Sequence, residues 1–141
     1  MASVKFEEID HTADLRLRIY GQDLEALLAH AAEGMFSLIG KAKFADGEVE
    51  TRTIVIEFAD RDECLYLWLR ALLAEFSKDG FFPVHAEIEL RSGRLSASVR
   101  GGRFDLSRHE FFTELKAVTQ HALAVRDSAG GGLEAEVIFD V

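Results

Sequence analysis

The stretch DLRLRIYGQDLEALLAHAAEGMFSLIG, residues 14–40, decides the fold. It opens on a strict alternation: Leu15, Leu17 and Ile19 fall on one side, Arg16, Arg18 and Tyr20 on the other. Successive side chains of a strand point to opposite faces, so this period of two predicts a strand with one face in a core and one in water. Gly21 ends it. Asp23 supplies the side-chain oxygen that the first free N–H groups of a helix need. Leu24, Leu27, Leu28, Ala31, Ala32, Met35, Leu38 and Ile39 then recur at helical spacing, which predicts a helix over 24–39 with one broad apolar stripe. Gly40 stops it.

Working outward, residues 4–9 (VKFEEI) alternate loosely and form a first strand. Residues 41–51 are polar and are assigned to a loop, and TIVIEFA (53–59) to a strand. DRDE (60–63) has the form of a capping box, with Asp60 as cap and Glu63 three positions on. The helix it starts carries Leu65, Trp68, Leu69, Leu72, Leu73 and Phe76 and stops at Gly80. It is taken as the more apolar of the two helices, lying across the sheet. VHAEIEL (84–90) and LSASVR (95–100) alternate around the polar turn RSGR, a hairpin signature. Residues 101–114 are irregular. LKAVTQHALAV (115–125) lacks a helical stripe and is rich in Val and Thr, which predicts one long strand. DSAGGG turns the chain into a last strand, LEAEVIFDV, 133–141. The order predicts an α+β fold: a single domain over 1–141, with a largely antiparallel or mixed sheet and two main helices packed on one face.

Composition narrows the function. A chain of 141 residues fits one domain and buries roughly 70% of its unfolded surface. Apolar residues make up 48% of it, with one proline, so it is ordered and globular. No apolar run reaches the ~18 residues of a membrane span, and no basic-then-apolar leader precedes the first strand. The expectation is a soluble cytoplasmic protein without a membrane partner. A single cysteine, Cys64, excludes an internal disulfide and a thiolate zinc cage. The formal net charge of −9 argues against direct nucleic-acid binding, which rests on Lys and Arg neutralising phosphates. It suits a cation or a basic protein partner.

Three constellations could carry chemistry: Asp10-His11-Thr12-Ala13-Asp14, the C-terminal Asp140-Val141, and Arg108-His109-Glu110 with Lys116 and His121 downstream. Hard divalent cations take oxygen ligands, mostly carboxylates, carbonyls and water. If the strand after Asp14 neighbours the strand before Val141, then Asp14, Asp140 and the Val141 carboxylate converge, and such anions repel unless a cation offsets them. Spacing alone leaves a second reading open, in which Asp14 tops a strand and Asp140 frays with the terminus. His11 is a metal ligand or base, or else a residue bonded to the backbone of its own turn. His109 and Glu110 are an acid/base pair or a surface loop. Lys116 and His121 fall on opposite faces of the expected strand, one of them as a partner contact. Cys64 is a buried small residue with no base beside it. Gly130-Gly131-Gly132 is not a phosphate loop, because no helix and no Gly-Lys-Ser/Thr follows.

DHTAD (10–14), followed by a strand ending in Tyr20-Gly21, resembles the N-terminal signature of the archease family. HEFFTELKAVTQH (109–121) is similar to that family's HE…TEVKAVTYH segment, and VIFDV resembles its C-terminal DV or DI. Three separated motifs in register make the resemblance specific over the whole chain. The chain departs from the family at Gln120, where the usual residue is tyrosine. LRLRIYG stands in place of the commoner IGIRAYG, and the turn DSAGGGLEA lacks an aromatic often found there.

The resemblance implies an archease-like fold and a non-enzymatic role. Archeases assist the RtcB-type RNA ligase, which joins 2′,3′-cyclic phosphate or 3′-phosphate ends to 5′-hydroxyls in tRNA splicing and RNA repair. That ligase uses GTP and manganese and passes through a guanylylated histidine. The archease accelerates guanylylation and allows multiple turnover. The resemblance also implies a divalent cation, calcium by family pattern with magnesium or manganese as alternatives, held by Asp14, Asp140 and Val141. Asp10, His11, His109, Lys116 and His121 would then flank the ion or touch the ligase. Two other readings stand beside it. One is a chaperone or adaptor for RNA-modifying enzymes, for which Phe81-Phe82 is the candidate apolar patch unless both pack at the end of the second helix. The other is a freestanding metal-dependent hydrolase, with His11 as the nearest candidate base.

Overall fold

The computed structural model describes residues 4–9 and 14–141. Strand β1 (Phe6–Ile9) pairs antiparallel with β2 (Leu15–Gly21), and β2 leads into helix α1 (Leu24–Ile39). Asp23 caps α1 by accepting the Ala26 N–H, 2.8 Å, as the sequence predicts. A short β3 (Gly40–Lys41) and a single 3-10 turn (Asp46–Glu48) follow. Strand β4 (Glu50–Glu57) begins inside the stretch expected to be loop.

Helix α2 (Arg61–Asp79) starts at Asp60, which accepts the Glu63 N–H, and ends at Gly80 in the left-handed conformation, φ 78°. A side chain is strained at that φ, so glycine closes the helix. Strands β5 (Phe81–Arg91) and β6 (Arg94–Arg103) form the predicted hairpin, turning at Ser92-Gly93. Its register shifts between Pro83 and His85.

The C-terminal third departs from the sequence expectation. Residues 115–125 do not make one strand: β7 (Glu110–Phe111) pairs with β3, while β8 (Ala117–Val118) and β9 (Val125–Asp127) each pair separately with β10 (Leu133–Asp140). Between β8 and β9 the chain turns, with Leu123 N–H donating to the Gln120 carbonyl and Ala122 at φ 55°.

All the pairing is antiparallel, but it is divided among sheets. The larger has the order β1-β2-β10-β8, with β9 also on β10, and the smaller is β4-β6-β5. The α+β class with two helices holds. Helix α1 touches β2 and β5, and α2 touches β4, β5, β8 and β9, so the helical pair shares one core with both sheets. Leu17, Ile19, Val137 and Phe139 face it from the larger sheet, and Leu95, Ala97 and Val99 from the smaller. Each of the Leu, Ile, Val and Phe side chains taken fully out of water contributes about 1.5–3 kcal/mol.

Trp68 of α2 is fully buried, and its Nε1–H donates to the Leu28 carbonyl of α1, 2.9 Å, joining the helices through a polar contact inside the core. More of α1 than of α2 is buried, contrary to the expected ranking. Gly34 explains how α1 reaches the sheet. A Cβ there would lie 2.7 Å from Leu17 Cδ2 and 2.8 Å from Phe6 Cγ, so its absence lets β1 and β2 close onto the helix.

Candidate functional site

The pairing of β2 with β10 sets the geometry of the acidic corner. Leu133 lies opposite Gly21, Val137 opposite Leu17, and Phe139 opposite Leu15. One position further along each strand stand Asp14 and Asp140. In an antiparallel ladder opposed Cβ atoms are about 5 Å apart. Two segments 126 residues apart in sequence thus bring two aspartates to one end of the sheet. Both belong to the face away from the helices, because Leu15 and Phe139 point into the core.

Asp140 is fixed through its main chain: Ala117 is its partner in β8, and its carbonyl accepts the Lys116 N–H, 2.8 Å. Its side chain is exposed, as is Val141. Asp14 is half-buried, and its Oδ1 accepts from Arg16 Nε at 3.3 Å. Among the described residues, no group of three His, Cys, Asp or Glu side chains is placed to hold a metal ion. Asp10 and His11 lie outside the described residues.

The same outer face continues as a charged lattice. Arg16 also donates to Glu136 Oε1, 3.2 Å, and Arg18 to Glu136 Oε2, 3.4 Å. The Tyr20 hydroxyl donates to Glu7, 2.8 Å. Burial, then the bond to Glu7, pushes the Tyr20 phenol above its usual value, and the hydrogen bond with Tyr20 raises Arg18. Ile138 lies in this lattice at 4% exposure, covered although it is on the outer face. Thr119 donates its N–H to the Ile138 carbonyl, 3.0 Å, while its Oγ1 is buried without a hydrogen bond among the described residues.

The sequence profile of the Archease protein family matches residues 6–141. This chain belongs to the archease family. Protein archease of Methanosarcina mazei is 34% identical over 143 residues, covering 97% of this chain and 96% of the relative. Protein archease of Methanopyrus kandleri is 34% identical over 140 residues, covering 96% and 99%. Among solved structures, the solution structure of Methanobacterium thermoautotrophicum protein 1598 superposes with a TM-score of 0.75 at 31% identity, covering 96% of this chain and 98% of that one. The crystal structure of an archease from Thermotoga maritima superposes at 0.69 over the full length of both chains, with 23% identity, and shares the fold.

The other residues singled out in this archease-family chain do not gather at the acidic corner. His109 is a rivet between loops. Its Nδ1 accepts the Asp105 N–H, 3.0 Å, which leaves the proton on Nε2, and Nε2 donates to the Lys43 carbonyl, 3.1 Å. Its ring packs edge-on to Phe44 with centroids 5.0 Å apart. Both ring nitrogens are used on backbone groups, which favours the loop reading of His109-Glu110 over an acid/base pair.

Lys116 and His121 are not on opposite faces of one strand, because that strand breaks: Lys116 precedes β8 and His121 is exposed in the turn after it. Cys64 is buried, and burial pushes its thiol up to about 12, which keeps it unreactive. Phe81 and Phe82 are buried and do not form a surface patch.

Sequence inspection missed the ion pairing of Arg16 with Glu136, since nothing local links them. It also missed Arg52, which donates to Glu50, Glu75 and Asp79 and lies 4.3 Å above the Phe81 ring. An arginine between Thr51 and Thr53, just ahead of the run Ile54-Val55-Ile56, was the available signal.

Proposed function

We propose that this protein is a non-enzymatic activator of an RtcB-type RNA ligase. It accelerates the ligase's GTP-dependent guanylylation and allows repeated turnover, acting through a divalent cation at the Asp14–Asp140 corner. The observation that supports this reading is the β2–β10 register, which pairs Leu15 with Phe139, the neighbours of Asp14 and Asp140, at one end of the sheet. Membership of the archease family supports it.

The donor chemistry fits: the side chains available are carboxylates, which suit calcium, magnesium or manganese rather than a soft metal. Asp14 and Asp140 would hold the ion through side-chain oxygens, with the Val141 carboxylate as third ligand. Bound there, the ion would supply a fixed positive charge on an acidic surface. The protein's own residues do the rest. β8 anchors the Asp140 main chain, and Arg16 engages Asp14 while no ion is bound. The net charge of −9 steers the corner toward a basic cleft of the kind that holds RNA and GTP.

The test replaces Asp14 or Asp140 with alanine and follows guanylylation of a purified ligase. Loss of stimulation from a folded variant is the expected result, and undiminished stimulation would overturn the mechanism. Without ligase, the protein is expected to leave a phosphodiester substrate intact.

A second reading, a chaperone or adaptor for RNA-modifying enzymes, is favoured by a different observation. Leu106, Phe111 and Phe112 are exposed at 74%, 44% and 53% around β7. The Thermotoga maritima protein is itself described as a possible chaperone. Replacing Phe111 and Phe112 with serine should abolish suppression of client aggregation if this reading holds, and leave ligase stimulation intact if the first one does.

A further inference from the structure

Period two along β2 places Arg16 beside Asp14 on the outer face, one step from the aspartate pair. Its Nε–H reaches Asp14 Oδ1 at 3.3 Å, and its terminal nitrogen reaches Glu136 Oε1 at 3.2 Å. Like charges directly opposed in a ladder are destabilising, so a cation in contact with Asp14 offsets its repulsion with Asp140. We infer that Arg16 is an internal competitor for the Asp14–Asp140 cation site: it offsets the charge of Asp14 in the cation-free protein and releases Asp14 when a divalent cation arrives. This rests on the reading of Asp14 and Asp140 as cation ligands.

The structure provides for such an exchange. Arg16 has two anchors, and Glu136 retains the guanidinium after Asp14 is given up, so the side chain swings without losing its charge partner. The planar fork of arginine serves both carboxylates at once, which a lysine ammonium on its flexible stem does less well. The side chains of Arg16 and Asp14 are 26% and 24% exposed. At that depth an ion pair is screened enough to open and shielded enough to matter. The charge left behind continues to repel the incoming ion. Arg16 therefore lowers cation affinity and at the same time supports the fold when no cation is bound.

The experiment titrates calcium chloride into the wild-type protein, R16Q, R16K and D14N by isothermal calorimetry, with thermal melts of each in EDTA and in calcium. R16Q is expected to bind calcium about three- to tenfold more tightly than wild type, since one nearby competing charge is gone. It should also melt lower than wild type in EDTA and gain more from calcium. R16K, which keeps the charge without the fork, should bind less tightly than R16Q. Equal or weaker binding by R16Q, with D14N abolishing binding, would overturn the competitor role and leave the cation site standing. R16K binding as tightly as R16Q would also overturn it, by implicating side-chain shape. No calcium binding by wild type or R16Q at millimolar concentration would overturn both the inference and the cation site.

Discussion

Leu15 and Phe139 face one another across the β2–β10 ladder, and an aspartate adjoins each of them at the same end of the sheet. A slip of one residue in this pairing would send Phe139 to the outer face and Asp140 into the core. The hydrophobic contact of Phe139, which is fully buried, therefore fixes the position of the acidic corner.

The same register yields a prediction about the tail. Fusing a short Gly-Ser extension to Val141 converts its carboxylate into a peptide carbonyl. Under the proposed ligand set, calcium binding should weaken, since one charged oxygen is lost. An equivalent extension at the N-terminus should leave affinity unchanged in calorimetry.

Gly34 gives a prediction whose sign opposes helix propensity. Alanine in a helix interior is favoured over glycine by about 1 kcal/mol. A Cβ at position 34 meets Leu17 and the Phe6 ring root inside 3 Å, and that root cannot swing away as a chain end can. The G34A variant should therefore be less stable than wild type by about 1–2 kcal/mol in urea denaturation.

Trp68 joins the two helices by its ring and by one hydrogen bond to Leu28. W68F removes the bond and part of the ring, and should cost about 1–3 kcal/mol, measured by circular dichroism because the only tryptophan is lost. Leaving the fold intact, it should not alter calcium affinity.

Arg52 draws Glu75 and Asp79 of α2 onto β4 and covers Phe81. Its own pKa is raised, first through Asp79, and that of Asp79 is lowered, first through Arg52. R52A should lower stability by about 1–2 kcal/mol, and R52K should recover part of this without the bidentate geometry.

Acid stability has a worked sign. The Arg108 hydrogen bond holds the Glu48 carboxyl at about 2, against an ordinary 4.5. The folded pKa is depressed, so the unfolded chain binds the proton more readily. The contribution is complete above about 4.5 and is lost as pH falls toward about 2. Thermal melts between these limits should fall less steeply with acid in E48Q than in wild type.

Local signals decided the parts of the fold that could be seen in the sequence. Asp23 and Asp60 each cap a helix, and Gly80 ends one, because those roles depend on residues within a turn. Residues 115–125 misled because Val and Thr content reports a fit to some sheet without naming the partner. Here the partner strand β10 accepts β8 and β9 separately, and the turn at Gln120–Leu123 falls between them. The division into two main sheets was hidden for the same reason. At the candidate site, Asp14 and Asp140 stood out as chain-end acids. The Arg16–Glu136 bond spans 120 residues and leaves no local trace.

The break in register at Pro83 has a consequence for how copies of the protein behave when crowded. β5 forms the rim of the smaller sheet, and a long straight rim is a template on which another chain can polymerise. Pro83 offers no N–H to a newcomer, and Glu87 and Glu89 repel an identical acidic chain. These features make β5 a poor template for a second chain.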